Sequence, residues 1–332
     1  MIRLGLSAGL AVSLLAVISR AATPGFLLVA NKGDQTLSLV DVVVGRQLAT
    51  VQEGGKTGHE VAASPDGRRA FVPIYGDAGV GHPGTDGQVI RVIDLLQCTI
   101  AATIDFGRGV RPHCAVFGPK DGLLYVTTEL NNAVAVIDPT TLNIVGSIPT
   151  GQPQSHMLAI SHDGRRGYTA NVGPGTVSVL DLAERKLLAT IPIAPMVQRI
   201  AVSMDDRRVF TADQTALRLV VIATATNTVQ ASIPLPGLAY GTAPTPDGRW
   251  LLVTLPTINK VGLVDLATLK VVRTVSVPKS PQEVIVDPDG TRAYVSCDAS
   301  GKVAVIEIKG LHVAQLIEVG PMADGVAFAR QP

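Results

Sequence analysis

Thr245-Pro246-Asp247-Gly248 is one of six copies of a short turn that recurs along this chain of 332 residues. In such a turn proline presets φ, and an Asp-Gly pair accepts the positive φ of a tight hairpin. The last five copies are spaced by 42 or 43 residues, so they divide the chain into units of nearly equal length. The copies are Ser64-Pro65-Asp66-Gly67, Gly118-Pro119-Lys120-Asp121-Gly122, Ser161-His162-Asp163-Gly164, Ser203-Met204-Asp205-Asp206, Thr245-Pro246-Asp247-Gly248 and Asp287-Pro288-Asp289-Gly290.

Short apolar strands flank each turn. The strand after the turn is rich in aromatic or β-branched residues, as in Leu124-Tyr125-Val126 and Ala293-Tyr294-Val295. A third strand ends in Asp, as at residues 134–138, and a fourth follows, as at residues 143–148. Four antiparallel strands in each unit of about forty residues are typical of a β-propeller blade.

The two ends of the chain complement each other. Residues 26–31, 37–42 and 47–51 supply three strands of a unit that lacks its first strand, and residues 325–329 form a first strand without a unit. Pairing of the C-terminal strand with the N-terminal strands would close the ring and remove its open edges. The sequence therefore predicts an all-β fold, a single seven-bladed propeller over residues 23–332.

One repeat carries a family resemblance. Tyr125-Val126-Thr127-Thr128 and Ile148-Pro149-Thr150-Gly151 resemble a unit of the YVTN-type seven-bladed propellers, which are secreted, lactonase-like or surface-layer-like proteins. Thr128 stands where the motif has Asn, whereas Tyr168-Thr169-Ala170-Asn171 keeps that Asn. The resemblance implies the fold, and among reactions it suggests lactone hydrolysis or a lyase-type elimination. The same scaffold also hosts redox subunits and binding proteins.

The N-terminal sequence and the overall charge limit the cellular location of the protein and the kinds of partner it can bind. Residues 1–22 combine Arg3, an apolar run and the small-residue exit Ser19-Arg20-Ala21, which predicts a cleavable signal peptide and a periplasmic or secreted protein. That run is shorter than the roughly 20 residues of a spanning helix, so we expect no membrane span. A formal net charge of +1 argues against nucleic acid as a partner. A closed ring needs no oligomer, so we expect a monomer.

One position in the repeat is polar or ionisable in every blade. It lies five residues before the turn, where the chain enters the innermost strand, so we expect its side chains to surround one end of the central channel. In blade order it reads His59, His113, His156, Gln198, Tyr240, Gln282 and Asp324.

Four of these residues belong to adjacent blades. His59, His113 and His156 are consecutive, and Asp324 precedes His59 once the ring closes. Imidazole and carboxylate groups are common ligands of first-row divalent metals, so the sequence predicts a site for Zn, Cu, Fe or Mn. Such an ion would act as a Lewis acid or activate water. The rest of the ring is predicted to bind substrate through Gln198, Tyr240 and Gln282.

An irregular segment points to the same end of the channel. Residues 74–88 are glycine-rich and about ten residues longer than their counterpart in the next blade. We expect them to overhang the ring, with His82 as a further imidazole or as a lid residue that binds substrate. The alternative is a tolerated surface insertion.

Neighbours of the ring residues are weaker candidates. Glu60, Arg111, Arg199 and Glu283 could orient a ligand, but alternation along a strand should turn several of them away from the channel. By the same alternation we expect Cys114 and Met157, which directly follow two ring histidines, to be buried in the core.

Three classes of function remain open. The first is a metal-dependent hydrolase or lyase of the lactonase-like kind, and the second is a non-catalytic module that binds a small molecule, a metal ion or an envelope protein. A redox subunit ranks last, because no covalent anchor for a cofactor is visible in the sequence.

Overall fold

The computed structural model of the protein describes residues 24–331, so the predicted signal peptide at residues 1–22 lies outside the described residues. Within that range, 28 strands form seven four-stranded antiparallel sheets. The predicted seven-bladed all-β propeller is therefore confirmed. In the same range, no helix has the length and apolar character needed to cross a bilayer.

We number the blades in chain order, and the first four contain the following strands. Blade 1 has β1 (Gly25–Asn31), β2 (Thr36–Asp41), β3 (Arg46–Gln52) and the C-terminal β28 (Ala323–Arg330). Blade 2 has β4 (Ala62–Ala63), β5 (Arg69–Gly76), β6 (Asp86–Asp94) and β7 (Thr99–Asp105). Blade 3 has β8 (Pro112–Phe117), β9 (Leu124–Thr128), β10 (Ala133–Ile137) and β11 (Ile144–Pro149). Blade 4 has β12 (Ser155–Ile160), β13 (Arg166–Asn171), β14 (Thr176–Asp181) and β15 (Lys186–Pro192).

The last three blades follow the same order. Blade 5 has β16 (Val197–Val202), β17 (Arg208–Asp213), β18 (Arg218–Ala223) and β19 (Thr228–Pro234). Blade 6 has β20 (Thr242–Pro244), β21 (Trp250–Leu255), β22 (Lys260–Asp265) and β23 (Lys270–Ser276). Blade 7 has β24 (Pro281–Val286), β25 (Arg292–Cys297), β26 (Lys302–Glu307) and β27 (His312–Glu318). Single 3₁₀ turns follow β9, β21 and β25, at Glu129–Asn131, Pro256–Ile258 and Asp298–Ser300.

The ring closes as the sequence predicts. The C-terminal strand β28 pairs antiparallel with β1, with Ala327 opposite Leu28 and Val326 opposite Val29. Blade 1 thus takes its innermost strand from one end of the chain and its other three from the opposite end.

The core lies between neighbouring blades. Val134 and Val136 of the third strand of blade 3 are fully buried and belong to a cluster that continues through blade 4 to Ile200 of blade 5. Cys114 and Met157 belong to this cluster too, as alternation predicts. Strands buried on both faces explain why a chain with 46% hydrophobic residues carries only 17% charged ones.

The innermost strands carry an extra residue at the point where they enter the channel. In blade 3, Pro112 pairs with Thr128 and Ala115 with Val126, so His113 and Cys114 together oppose the single Thr127. The same irregularity lies between Val197 and Ile200 in blade 5 and between Pro281 and Val284 in blade 7. A β-bulge breaks strict alternation and re-aims side chains. The ring position and the residue after it can therefore both face the channel.

Hydroxyl groups on the second strands brace these bulges. Thr127 Oγ1 accepts a hydrogen bond from the Cys114 N–H at 2.9 Å and donates one to the His156 carbonyl at 2.8 Å. Thr254 makes the equivalent contacts with the Gly241 N–H at 2.6 Å and the Gln282 carbonyl at 2.7 Å. These bonds satisfy backbone groups that the bulge removes from the ladder and tie each blade to the ring residue of the next.

Candidate functional site at the channel entrance

Three imidazoles lie in a row at the end of the channel where the inner strands begin, which we call the entrance. The rings of His59 and His113 are 5.4 Å apart between centroids, at an interplanar angle of 58°. His113 and His156 are stacked, with centroids 3.5 Å apart and an angle of 28°. The structure thus brings together the three histidines that the repeat pattern aligns.

Burial keeps these imidazoles neutral. His113 and His156 are 2% and 3% exposed, and burial lowers the pKa of both, although Glu129 opposes the effect at His156. Burial also lowers the pKa of His59 to about 4. Of the three side chains, that of His59 is the most open to solvent, at 24%. A lowered pKa keeps an imidazole neutral at pH 7 but makes it a weaker base, and the Asp324 carboxylate offsets part of this shift at His59.

Tyr75 and Glu129 belong to this cluster but were not among the predicted residues. The Tyr75 ring lies 5.1 Å, 5.3 Å and 5.8 Å from the His59, His113 and His156 rings between centroids. Its hydroxyl donates a hydrogen bond to the Glu129 carboxylate. Glu129 Oε2 also lies 3.8 Å from His156 Nδ1, so one carboxylate faces both the tyrosine and a stacked histidine.

Asp324 is the acidic neighbour of His59. Its Oδ2 lies 3.6 Å from His59 Nδ1 and 3.1 Å from Lys32 Nζ, and its Oδ1 lies 3.3 Å from Arg199 Nη2. Burial alone would raise the pKa of Asp324, but Lys32 and Arg199 outweigh it and hold that pKa below its ordinary value. Lys32 also contacts Asp298 at 3.3 Å.

Arg199 crosses the channel next to the histidines. It starts from blade 5, and its Nη1 contacts Glu60 Oε1 of blade 2 at 2.7 Å and the Glu283 carboxylate of blade 7. Its guanidinium also lies 4.9 Å from the centroid of the Tyr240 ring. Alternation was expected to turn several of the four ring neighbours away from the channel, yet Glu60, Arg199 and Glu283 contact one another across it. Arg199 and Glu283 lie in the bulges of their inner strands. Burial raises the pKa of both Glu60 and Glu283.

Predicted substrate-binding residues occupy different environments. Gln198, Tyr240 and Gln282 are half-buried at the entrance, and Gln282 Nε2 donates a hydrogen bond to Ser280 Oγ at 2.9 Å. His82 is exposed, and its backbone carbonyl, not its ring, accepts a hydrogen bond from Arg111 Nη2 at 2.8 Å. Their roles in binding a substrate stay predictions.

The long segment of blade 2 has two parts. Strands β5 and β6 are extended to Gly76 and from Asp86, so residues 77–85 form the loop proper. Arg111 anchors this loop, because its Nε donates to Asp86 Oδ1 at 2.7 Å and its Nη1 to Glu129 Oε1 at 3.3 Å. Arg111 therefore holds the loop and does not reach into the channel with Arg199.

The four predicted metal ligands do not converge on one point. A metal-bound imidazole directs the lone pair of its nitrogen along the ring plane, and stacked rings with nearly parallel planes cannot both do so toward one ion. Asp324 is already paired with Lys32 and Arg199. Across residues 24–331, no group of three or more His, Cys, Asp or Glu side chains has an arrangement that could hold a metal. These residues do not fit an ion as placed, and the metal site stays a prediction.

A second variable position in the repeat contains Lys32 and Glu129, two site residues that the sequence analysis did not predict. The residue directly after the second strand differs from blade to blade, as the ring position does. In blade 1 and in blades 3 to 7 it is Lys32, Glu129, Val172, Gln214, Pro256 and Asp298. Aligning this position would have singled out Lys32 and Glu129. Tyr75 lies inside a strand, where an aromatic residue is expected, and nothing in its position signals the site.

Two solved structures share the fold. Hydrazine synthase from Kuenenia stuttgartiensis superimposes with a TM-score of 0.74 at 20% identity and covers 89% of this chain and 99% of that one. A functionally unknown protein from Desulfotomaculum acetoxidans DSM 771 gives 0.77 at 15% identity and covers 93% and 100%. At these identities the likeness concerns the architecture alone.

One curated relative and one family model agree with the architecture. The 6-phosphogluconolactonase of Bacillus subtilis (strain 168) is 31% identical over 139 residues, which are 39% of this chain and 40% of that protein. The match thus spans about two fifths of the relative's length. The model of the family described as Lactonase, 7-bladed beta-propeller, matches residues 25–232, well over half of the chain. The chain belongs to the seven-bladed β-propeller lactonase family.

Proposed function

We propose that the protein hydrolyses small lactones at the channel entrance, with His59 as the general base. One observation carries the proposal: His59 is the partly exposed member of three neutral imidazoles, and a carboxylate, Asp324, stands 3.6 Å from its Nδ1. This separation is longer than a hydrogen bond, and such contacts tighten when substrate binds. A carboxylate beside Nδ1 favours a proton on that nitrogen and leaves the lone pair of Nε2 for water.

The reaction needs a base and a positive charge. His59 Nε2 takes a proton from a water molecule whose oxygen bonds to the lactone carbonyl carbon, and negative charge develops on the carbonyl oxygen. Lys32, whose side chain is 17% exposed, is the cation beside His59 and Asp324 that stabilises this charge. The ring C–O bond then breaks, and the leaving oxygen takes the proton back from His59. The product is a hydroxy acid.

The substrate and the compartment are parts of the same proposal. The family and the partial match to a 6-phosphogluconolactonase support a polar lactone as the substrate class. The YVTN-like repeats and the predicted leader support a protein of the periplasm or of the extracellular space, and the closed ring supports a monomer. A lyase-type elimination is the related reaction that the same base would support.

A second candidate function has its own support. The charged groups at the entrance already pair with one another, since Lys32 and Arg199 contact Asp324, and Arg199 also contacts Glu60 and Glu283. A site whose charges are mutually satisfied suits a module that binds a small ligand or an envelope protein without turnover. Both functions place the ligand at the entrance and differ only in chemistry.

The decisive experiment measures lactone opening. Each turnover yields a carboxylic acid that releases one proton near pH 7, so a pH-stat records hydrolysis across a panel of sugar lactones and phosphorylated sugar lactones. We expect His59→Gln to lose about a hundredfold in rate or more, the usual worth of a general base. His312→Gln, a change of an exposed histidine on β27, is the matched control and should keep the rate.

Three outcomes separate the alternatives. Turnover that depends on His59 supports the hydrolase. Full activity of His59→Gln removes His59 as the base. Saturable binding of a lactone in calorimetry, with no turnover above the spontaneous rate, favours the binding module.

A further inference from the structure

The loop of residues 77–85 leaves blade 2 and reaches over the neighbouring blades. Its Gly81 N–H donates a hydrogen bond to Glu129 Oε1 of blade 3 at 3.1 Å. A Cβ placed on Gly81 would collide with the side chain of Gln154, which lies on the connection into blade 4. The loop therefore sits above the two blades that carry His113 and His156.

Three hydrogen bonds from Arg111 hold the base of the loop. Arg111, which is 4% exposed, uses Nε, Nη1 and Nη2 to bind Asp86 Oδ1, Glu129 Oε1 and the His82 carbonyl. Each nitrogen of this buried guanidinium thus has an acceptor, which a buried charge requires. His82 lies in the loop, Asp86 begins the strand that follows it, and Glu129 lies in blade 3.

Glu129 joins the loop to the histidines. One carboxylate oxygen, Oε1, accepts from the Gly81 N–H and from Arg111. The other, Oε2, accepts from the Tyr75 hydroxyl and faces His156 Nδ1 at 3.8 Å. A change in the position of the loop therefore reaches His156 through a single carboxylate.

The ring histidines differ in their exposure to solvent. His113 and His156 are 2% and 3% exposed, yet their Nδ1 atoms have no hydrogen-bond partner in the described residues. The side chain of His59, at the same ring position one blade earlier, is 24% exposed. Buried polar atoms without partners are rare in folded proteins and point to a missing ligand or solvent.

The two ends of the loop approach each other closely at a glycine. Gly76 stands at its start with φ +113°, and a Cβ there would collide with the Thr85 carbonyl oxygen. A cleft of about 340 Å³ lies beside the loop and is lined by His82, Arg111, Glu129 and Gln154, among others. A molecule entering this cleft would contact the loop and Glu129 together.

We propose that residues 77–85 form a cover that must open before a substrate reaches His113 and His156, and that Glu129 is the positioning residue that orients His156 when the cover is closed. The proposal rests on the proposed site, because it assumes that ligands bind at these histidines. Its tests use no lactone, so they give an answer whether or not the protein proves to be a hydrolase.

Chemical modification measures access to each histidine. Diethyl pyrocarbonate modifies accessible neutral imidazoles, and mass spectrometry of peptides follows each of the six histidines of the chain separately. In the unaltered protein at neutral pH we expect His59 and His82 to react fast and His113 and His156 slowly. In Glu129→Gln, which weakens the contacts of Arg111 and Gly81, His113 and His156 should react about tenfold faster, as for a contact worth about 1.4 kcal/mol.

Matched controls distinguish opening of the loop from misfolding of the variant. Glu184→Gln changes an exposed carboxylate in the turn between β14 and β15 and should alter no rate. His312 is exposed and far along the chain, so its rate should be the same in every variant if the fold is intact. Asp86→Asn loosens the other contact of Arg111 at a residue whose side chain is 38% exposed, and it should open the cover even if Glu129→Gln folds poorly.

The orientation of His156 has a spectroscopic signature. A carboxylate beside Nδ1 favours the tautomer with the proton on that nitrogen, and ¹⁵N NMR distinguishes the two tautomers of each imidazole. We expect His156 to hold its proton on Nδ1 and to shift toward the other tautomer in Glu129→Gln, whereas His312 stays unchanged. An unchanged His156 tautomer overturns the positioning role. Modification of His113 and His156 in the unaltered protein as fast as of His59, or no acceleration in either variant, overturns the cover.

Discussion

Arg199 Nη1 lies 2.7 Å from Glu60 Oε1, although the two residues start from blades on opposite sides of the channel. The same guanidinium also contacts Glu283 and Asp324, so one side chain links blades 5, 2, 7 and 1. Arg199 is 3% exposed, so this bridge is buried inside the channel.

Removal of the Arg199 charge should destabilise the protein strongly. Arg199→Met leaves Glu60, Glu283 and Asp324 buried without their shared cation, and breaking a buried ion pair in this way costs about 3–5 kcal/mol. Urea unfolding measures the loss. Arg68→Met, at an exposed arginine, should stay within about 0.5 kcal/mol of the unaltered protein. The triple variant with Glu60→Gln and Glu283→Gln should regain part of the loss, and a drop below about 1 kcal/mol for Arg199→Met alone would show that the bridge is not stabilising.

Glu53 should make stability depend on pH. Burial raises its pKa to about 7, while its Oε2 accepts a hydrogen bond from the Gly58 N–H at 2.9 Å. Because the folded state holds this proton more tightly than the unfolded state, the contribution is full below the ordinary carboxyl pKa and is lost as pH rises through about 7. The shift corresponds to about 3 kcal/mol between pH 4.5 and pH 8.

The variant Glu53→Gln isolates this contribution. It keeps an oxygen acceptor for Gly58 but has no proton to lose, so its free energy of unfolding should fall less between pH 5 and pH 8 than that of the unaltered protein. Glu184→Gln, at an exposed site, should follow the unaltered curve. Identical pH slopes for Glu53→Gln and the unaltered protein would contradict the raised pKa.

A methyl group at Gly325 should disturb the entrance. A Cβ there would lie 2.5 Å from the His59 carbonyl oxygen and 2.6 Å from Glu60 Cα, so the inner strands of blades 1 and 2 would have to separate. Overpacking of this kind costs about 1–3 kcal/mol. Gly262→Ala is a matched strand control, because its Cβ would meet nothing closer than 3.6 Å. Thermal melting should separate the two variants, and equal melting temperatures would mean that the strands tolerate the methyl group.

Metal analysis tests the stacked imidazoles. Because His113 and His156 face each other with centroids 3.5 Å apart, we expect no stoichiometric metal in protein purified without chelators, and no change in melting temperature on adding EDTA. Elemental analysis decides the matter. Stoichiometric Zn, Cu, Fe or Mn that disappears in His113→Ala would instead support the metal site predicted from the sequence, and it would require the two rings to separate.

The fold was predictable because its signals are local and repeated. An Asp-Gly turn and alternation along short strands each act within a few residues, and about 42 residues later they act again. Ring closure was predictable for the same reason. The N-terminal blade lacks its innermost strand, and the C-terminus has one extra strand that can supply it. The pairing of Val326 with Val29 confirms it.

The candidate site was less accessible to sequence reasoning. Comparing repeats aligned His59, His113, His156 and Asp324, and the structure places these residues together at the entrance, while their chemical role stays a prediction. Whether Arg199 and Glu283 face the channel depends on bulges, which alternation along a strand does not reveal. The stacking of His113 on His156 depends on packing across two blades, and the repeat pattern carries no information about it.

The bulges at the start of the inner strands have a consequence for how such a protein can change over evolution. They offer the channel a second side chain in a blade, as Arg199 and Glu283 show, while the hydrophobic faces between blades keep their own alternation. Substitutions at these paired positions can give the ring a new specificity without repacking its interior. A protein designer could build a library of substitutions at these channel-facing positions and keep the rest of the propeller unchanged.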